Sequence, residues 1–185
     1  MIAKDHHEYM LNGEAIPIVN IIKDVGVTVT PNLDFNVHIT QTIQSATLVC
    51  NTIFRCFIVK KPECKINLPK SLVLPKFTYC CEVWRPYLKR HIEAIERVQS
   101  RFIRRVAMRC NVERSTLSLA PIVELHERAD LRMFNRIARC PTLINLFNIR
   151  PNNLRSSQTI SAIETARTDR INNMFSWRTA RMLRN

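Results

Sequence analysis

LKRHIEAIERVQSRFIRRVAMR, residues 88–109, decides how this 185-residue chain is read. Ile92, Ile95, Phe102 and Val106 recur at three-, four- and seven-residue steps with Val98 beside them, the period of one helix face. Arg97, Arg101, Arg105 and Arg109 step by four, so they line a second face of the same helix. The next periodic segment repeats the arrangement. Pro121 opens it, Ile122, Leu125, Ala129, Met133 and Ile137 turn inward, and Arg128, Arg132 and Arg136 are offset from that face.

Arginines stacked this way repel one another and weaken a helix unless an anion lies opposite. The local acids Glu93, Glu96, Glu113, Glu124 and Glu127 are too few to neutralise both rows. A nucleic-acid backbone rewards a line of fixed positive charge by counterion release. The seven arginines are therefore the candidate nucleic-acid-binding residues, set against the plainer reading of a solvated helical face. Charge asymmetry favours binding. Residues 84–185 carry 20 Lys and Arg against 8 Asp and Glu, whereas residues 1–83 carry 8 against 7. Nearly all the excess is Arg, which contacts phosphate bidentately and stacks on rings.

Upstream, Asp34 is the expected N-cap of a helix whose stripe is Ile39, Ile43, Ala46, Cys50, Ile53 and Phe57, stopped by Lys60-Lys61-Pro62. A second apolar run, 68–84, should be kinked or split by Pro75 and closed by Pro86. Tyr79 and Trp84 in that run are expected in the core rather than on a base-stacking surface. The first 30 residues read as β. Asn12-Gly13 supplies the positive φ of a hairpin turn, and 25–29 is a β-branched run in which Gly26 suggests a bulge or a close backbone approach. Downstream, 143–149 suggests a short helix, 150–157 a linker, and 174–182 a helical stretch in a basic tail. The expected fold is mainly α: a β-hairpin and short strands (1–32), a helical bundle (33–149), and a linker with a basic helical tail (150–185).

Seven cysteines, an odd number without C-x-x-C spacing, fit reduced thiols packed as small hydrophobes in an intracellular protein, nuclear or cytoplasmic. The first 20 residues lack the apolar run of a secretion signal, and the longest apolar stretch, 46–59, is broken by Asn51 and Arg55, so no membrane partner is expected. His6, His7, His38, His91 and His126 are isolated or at exposed-looking positions and are assigned no catalytic role. No cofactor or metal is expected.

The order of several short blocks adds a family resemblance. Tyr9-x-Leu11-Asn12-Gly13, Lys23-Asp24-Val25-Gly26-Val27, Leu33-x-Phe35-x-x-His38-Ile39 and Arg55-x-Phe57 come first. Phe77-x-Tyr79-Cys80-x-x-Val83-Trp84-x-Pro86, Ile92-x-x-Ile95-Glu96-x-Val98-Gln99 and Phe102-x-Arg104 follow. Leu119, Leu125, Arg128, Asp130-Leu131 and Phe175-x-x-Arg178-x-Ala180 complete the set. Together they resemble the C-terminal part of the reverse transcriptases of non-LTR (LINE-type) retrotransposons. The resemblance implies an end-of-palm hairpin, with Lys23 and Gly26 in a primer-grip strand, then a helical thumb whose partner is a template–primer or element RNA. It also implies a missing palm and fingers as a protein partner. Val25 stands where Leu is usual, and Glu127-Arg128 where two arginines are common. No Asp-Asp pair is present, and two-metal nucleotidyl transfer needs carboxylates that hold both ions. The chain is therefore expected not to be an enzyme on its own. The other readings are a generic RNA- or DNA-binding module and an inactive translated remnant.

Overall fold

Two hairpins begin the described part of the computed structural model, which comprises residues 9–58, 61–117, 119–146 and 174–182. In the first, β1 (Met10–Leu11) pairs antiparallel with β2 (Glu14–Ala15) around Asn12 and Gly13, at φ 52° and 86°. Both turn residues are left-handed, as a type I′ turn requires. In the second, β3 (Ile22–Asp24) pairs with β4 (Val27–Val29) in the register Ile22↔Val29, Lys23↔Thr28, Asp24↔Val27. Here the sequence reading needs correction. Val25 and Gly26, at φ 43° and 85°, are the turn itself and no bulge within a longer strand. A β-branched residue is strained in that conformation and persists only when its surroundings hold it. The hold is long-range: the Tyr79 hydroxyl donates to the Val25 carbonyl at 2.9 Å.

The first hairpin and the three residues of β3 are exposed, whereas Val27 and Thr28 of β4 are buried against the helices. Eight helices follow among the described residues, with a 3₁₀ turn at Arg114–Thr116. The first, α1 (Asn36–Cys56), begins one residue later than an Asp34 N-cap would give, but the Asp34 carboxylate still receives the Asn36 N–H at 2.9 Å. It buries His38, Ile39, Thr42, Ala46, Cys50, Ile53 and Phe54. Phe57 lies beyond its last turn and is 40% exposed rather than part of the stripe.

Proline does the splitting expected of it. After α2 (Pro62–Leu72), Pro75 sits at the start of a separate α3 (Leu74–Thr78). Cys80, left-handed at φ 48°, reverses the chain into the single turn of α4 (Cys81–Trp84). Next come α5 (Lys89–Cys110), within one residue of its expected bounds, and α6 (Ile122–Ala138), preceded by Pro121. The last two are α7 (Pro141–Leu146) and α8 (Phe175–Met182). Of the short helix expected over 143–149, residues 147–149 lie outside the described residues, as does the expected linker at 150–157.

The core is where α1, α3, α4, α5 and α6 meet. Ile53, Phe77, Trp84, Ile95, Val106 and Ile122 are almost wholly buried there. Each aliphatic or Phe side chain so buried contributes roughly 2 kcal/mol by its transfer from water. A smaller cluster, Phe134 and Ile137 with Leu143, Ile144 and Phe175, joins α6, α7 and α8. The protein is thus mainly α, with two small strand pairs leading into a helical bundle.

The buried face of α6 departs from the expected one. His126, Asp130 and Phe134 are buried, while Met133 is 37% exposed and Leu125 half-buried. The face is turned by about one residue because Asp130 carries a buried partner set, described next, that hydrophobic periodicity does not register.

Candidate nucleic-acid interface

The first arginine row begins on the outside of α5 and does not stay there. Four residues on an α-helix advance about 400°, so a four-step row slips about 40° per member. Over Arg97, Arg101, Arg105 and Arg109 the slip brings the last two round to α1. Arg105 donates to Oδ1 of Asn51 at 2.8 Å and its guanidinium lies 4.3 Å from the centre of the Phe54 ring. Arg109 donates to the Phe54 carbonyl at 2.8 Å, satisfying one of the open acceptors in the last turn of α1, and also stacks on Phe54 at 5.0 Å. Arg97 and Arg101 remain on the outer face, with Arg97 bonded only to the Glu93 carbonyl.

The outward row that the helix period builds is Arg90, Arg97, Arg101 and Arg104, all exposed. Arg90 and Arg104 were missed because they break the four-residue step; spacing of seven, four and three would have found them. None of the four has a carboxylate partner among the described residues. Glu93, three residues from Arg90 and four from Arg97, lies 3.8 Å from Lys89 instead, and Glu96 is off the face of the row. Oε1 of Glu96 accepts the Ile122 and Val123 N–H groups at 2.7 and 3.2 Å and so caps the positive end of α6. On α6, Arg128 pairs with Glu124, Arg132 bonds the Arg128 carbonyl at 3.3 Å, and Arg136 is exposed.

Lys23 and Gly26 border a separate open cleft of about 490 Å³ between the second hairpin, α1 and α3. His38, Gln41, Lys76 and Tyr79 also line it, and among the described residues no carboxylate does. Gly26 is required by its φ and by Tyr79: a Cβ there would lie 3.3 Å from the ring Cε1. Its immediate neighbour is therefore this chain's own aromatic ring, where the sequence reading expected a passing backbone. Tyr79 is 51% exposed, against the expectation that it packs in the core. Ser45, on the cleft, and Phe54, against the arginines, are nine residues apart on α1. That is about half a helix revolution, so the cleft and the Arg105–Arg109 pair lie on opposite sides of α1.

A third assembly is wholly internal. Trp84 is 1% exposed, as expected for a core residue, and donates from Nε1 to the Tyr79 carbonyl at 2.8 Å. His38 and His126 flank it, ring centres 5.0 and 5.7 Å away. Both histidines are buried, although their positions in the sequence look isolated or exposed. His126 donates from Nε2 to the Phe77 carbonyl at 2.8 Å, and burial above all lowers its pKa to about 4, so it is neutral at pH 7. Beside it the Asp130 carboxylate, with no exposed surface, takes Arg178 through both oxygens at 3.0 and 2.9 Å and Arg85 at 2.8 Å. Arg85 also reaches Glu127 at 3.0 Å, and Arg178 donates to the Glu82 carbonyl at 2.8 Å. Three of the sequence blocks thus converge: Trp84–Pro86, Asp130 and Arg178. This junction ties α4, α6 and α8 together.

Among the described residues, no three of His, Cys, Asp and Glu gather where they could hold a metal ion, and no helix is long and apolar enough to cross a membrane. All seven cysteines are free. Burial pushes the Cys50 and Cys81 thiols up to about 11 and 12, so both pack as neutral side chains.

The geometry defines a helical protein with two basic faces and a rigid internal junction. An uncharacterized protein of Caenorhabditis elegans is 35% identical to the chain over 101 residues, which are 55% of this chain and 51% of the relative. The chain spans about half the length of the curated relative it matches. No family model and no solved structure matches it.

Proposed function

We propose that the chain is the thumb and C-terminal part of an RNA-directed DNA polymerase of the non-LTR retrotransposon type. It binds nucleic acid by backbone electrostatics and contributes no active site of its own. The observation that carries this reading is the outward row Arg90, Arg97, Arg101 and Arg104, which has no carboxylate partner among the described residues. Such a row is electrostatically unfavourable in the isolated protein and becomes favourable against phosphates. The resemblance of the ordered sequence blocks supplies the polymerase class, and Lys23 with Lys76 at the cleft supplies a second place for a strand.

Binding of a labelled RNA/DNA primer–template across a salt series tests the reading, beside the triple variant Arg97→Glu/Arg101→Glu/Arg104→Glu. Wild-type affinity should fall steeply with salt, and the variant should flatten the log–log slope by about 3, since each phosphate contact contributes roughly 0.9. Preference for a recessed primer–template over a plain single strand favours a thumb; equal affinity for both favours a generic binding module. Absence of wild-type binding, or an unchanged variant, reduces the row to a solvated face.

A further inference from the structure

Thr28 stands opposite Lys23 in the second hairpin. The Asp24–Val27 pair closes the two-residue turn, so by the alternation of an antiparallel pair Thr28 is a non-hydrogen-bonded position, its N–H turned away from β3. That N–H donates instead to Nδ1 of His38, at 3.2 Å, in α1. The Thr28 hydroxyl donates to Oε1 of Gln41, at 2.9 Å, one turn further along. With the burial of Val27 and the Tyr79 hydroxyl on the Val25 carbonyl, these two bonds fasten the hairpin to the bundle, and they alone tie it to α1 by hydrogen bonds among the described residues. An imidazole accepts at Nδ1 only while it is neutral.

We propose that the Thr28–His38 bond is a proton-operated latch: protonation of His38 at Nδ1 sets a donor against the Thr28 N–H and releases the hairpin, with Lys23 and Gly26, from α1. The surroundings set where it opens. Among the described residues the hairpin presents Lys23 to the ring, while Asp24 next to it lies on the opposite strand face. Helix α1 supplies neutral Gln41 and Thr42, and α3 places Lys76 and Tyr79 on the same cleft. From α4 comes the Trp84 ring, and beyond it in α6 lies His126, itself neutral at pH 7. No acid of the cleft lining favours a positive ring. Burial first, and Lys23 second, hold His38 below the ordinary 6.5. A base depressed in the folded state contributes fully above 6.5 and loses its contribution as the pH falls. The latch is therefore shut at neutral pH and opens on acidification. It operates whether or not the cleft receives nucleic acid.

Amide hydrogen exchange of the full chain, read residue by residue by NMR between pH 7.5 and 5, tests the latch. The Thr28 protection factor, corrected for intrinsic exchange, should fall progressively below pH 6.5 while Phe102 and Val106 in α5 keep theirs. His38→Asn places a non-titrating carbonyl oxygen near Nδ1 and should keep Thr28 protected throughout. A pH-independent Thr28 in the wild type, the same fall in His38→Asn, or loss of Thr28 and α5 protection together would each overturn the proposal.

Discussion

Arg85 and Arg178 at the α4–α6–α8 junction and Arg97 and Arg101 on α5 are one kind of side chain in opposite settings. The first two have side chains only 13% and 6% exposed and converge on a single carboxylate. The second two stand in solvent with no ion pair among the described residues. Arg105 and Arg109 fall between, carried by the 40° slip from the outer face onto Phe54. What differs is phase within the helix period and the presence of a buried acid in reach. Guanidiniums in the interior define how helices meet; guanidiniums outside are available to an external anion.

The comparison breaks first at Asp130. Replacing one member of a buried ion set strands its partners, at a cost of about 3–5 kcal/mol. Asp130→Ala should lose that much in urea unfolding, and a loss under about 1 kcal/mol would show that Arg85 and Arg178 reach water easily. The pH dependence of the junction is the next largest effect. Because the His126 pKa is lowered from 6.5 to about 4, unfolded chains bind the proton first as the medium is acidified. Stability is full above pH 6.5 and falls by about 3 kcal/mol as the pH drops to 4. His126→Gln, which can still donate to Phe77, should flatten that acid limb in thermal melts run from pH 7 to 4; an unchanged limb would assign it to other groups. The smallest effect sharpens the comparison within one row. Arg109→Gln should cost about 1 kcal/mol through the lost bond to the end of α1. Arg101→Gln should leave the unfolding midpoint where it is and weaken oligonucleotide binding. Equal behaviour of the two in both measurements would erase the distinction between them.

Helix bounds were largely legible in the sequence, because amphipathic period, Pro62, Pro75 and Pro121 act locally. The Asn12-Gly13 turn was legible for the same reason. Val25-Gly26 was not, since Val at positive φ is held by the Tyr79 hydroxyl from 54 residues away. The candidate interface was half legible. Arg97 and Arg101 stand where the spacing put them, but a fixed step of four hides the slip that turns Arg105 and Arg109, still exposed, toward Phe54 and that brings Arg90 and Arg104 into line. The junction left one readable signal. Asp130 lies in phase with the buried residues Ile122 and Ile137, and an acid on a core stripe demands a buried cation. Which cation answers it depends on long-range packing that periodicity cannot supply.

The distance along the chain between Asp130 and Arg178 has a consequence for synthesis. They are 48 residues apart. At the usual 5–20 residues per second, a ribosome takes about 2–10 seconds to make the second after the first. For that interval Arg178 is not there to reach Asp130, and α6 lacks α8, whose Phe175 packs with Phe134. The junction is therefore completed only when α8 docks, and a chain cut before Arg178 would leave Asp130 without its two-oxygen partner.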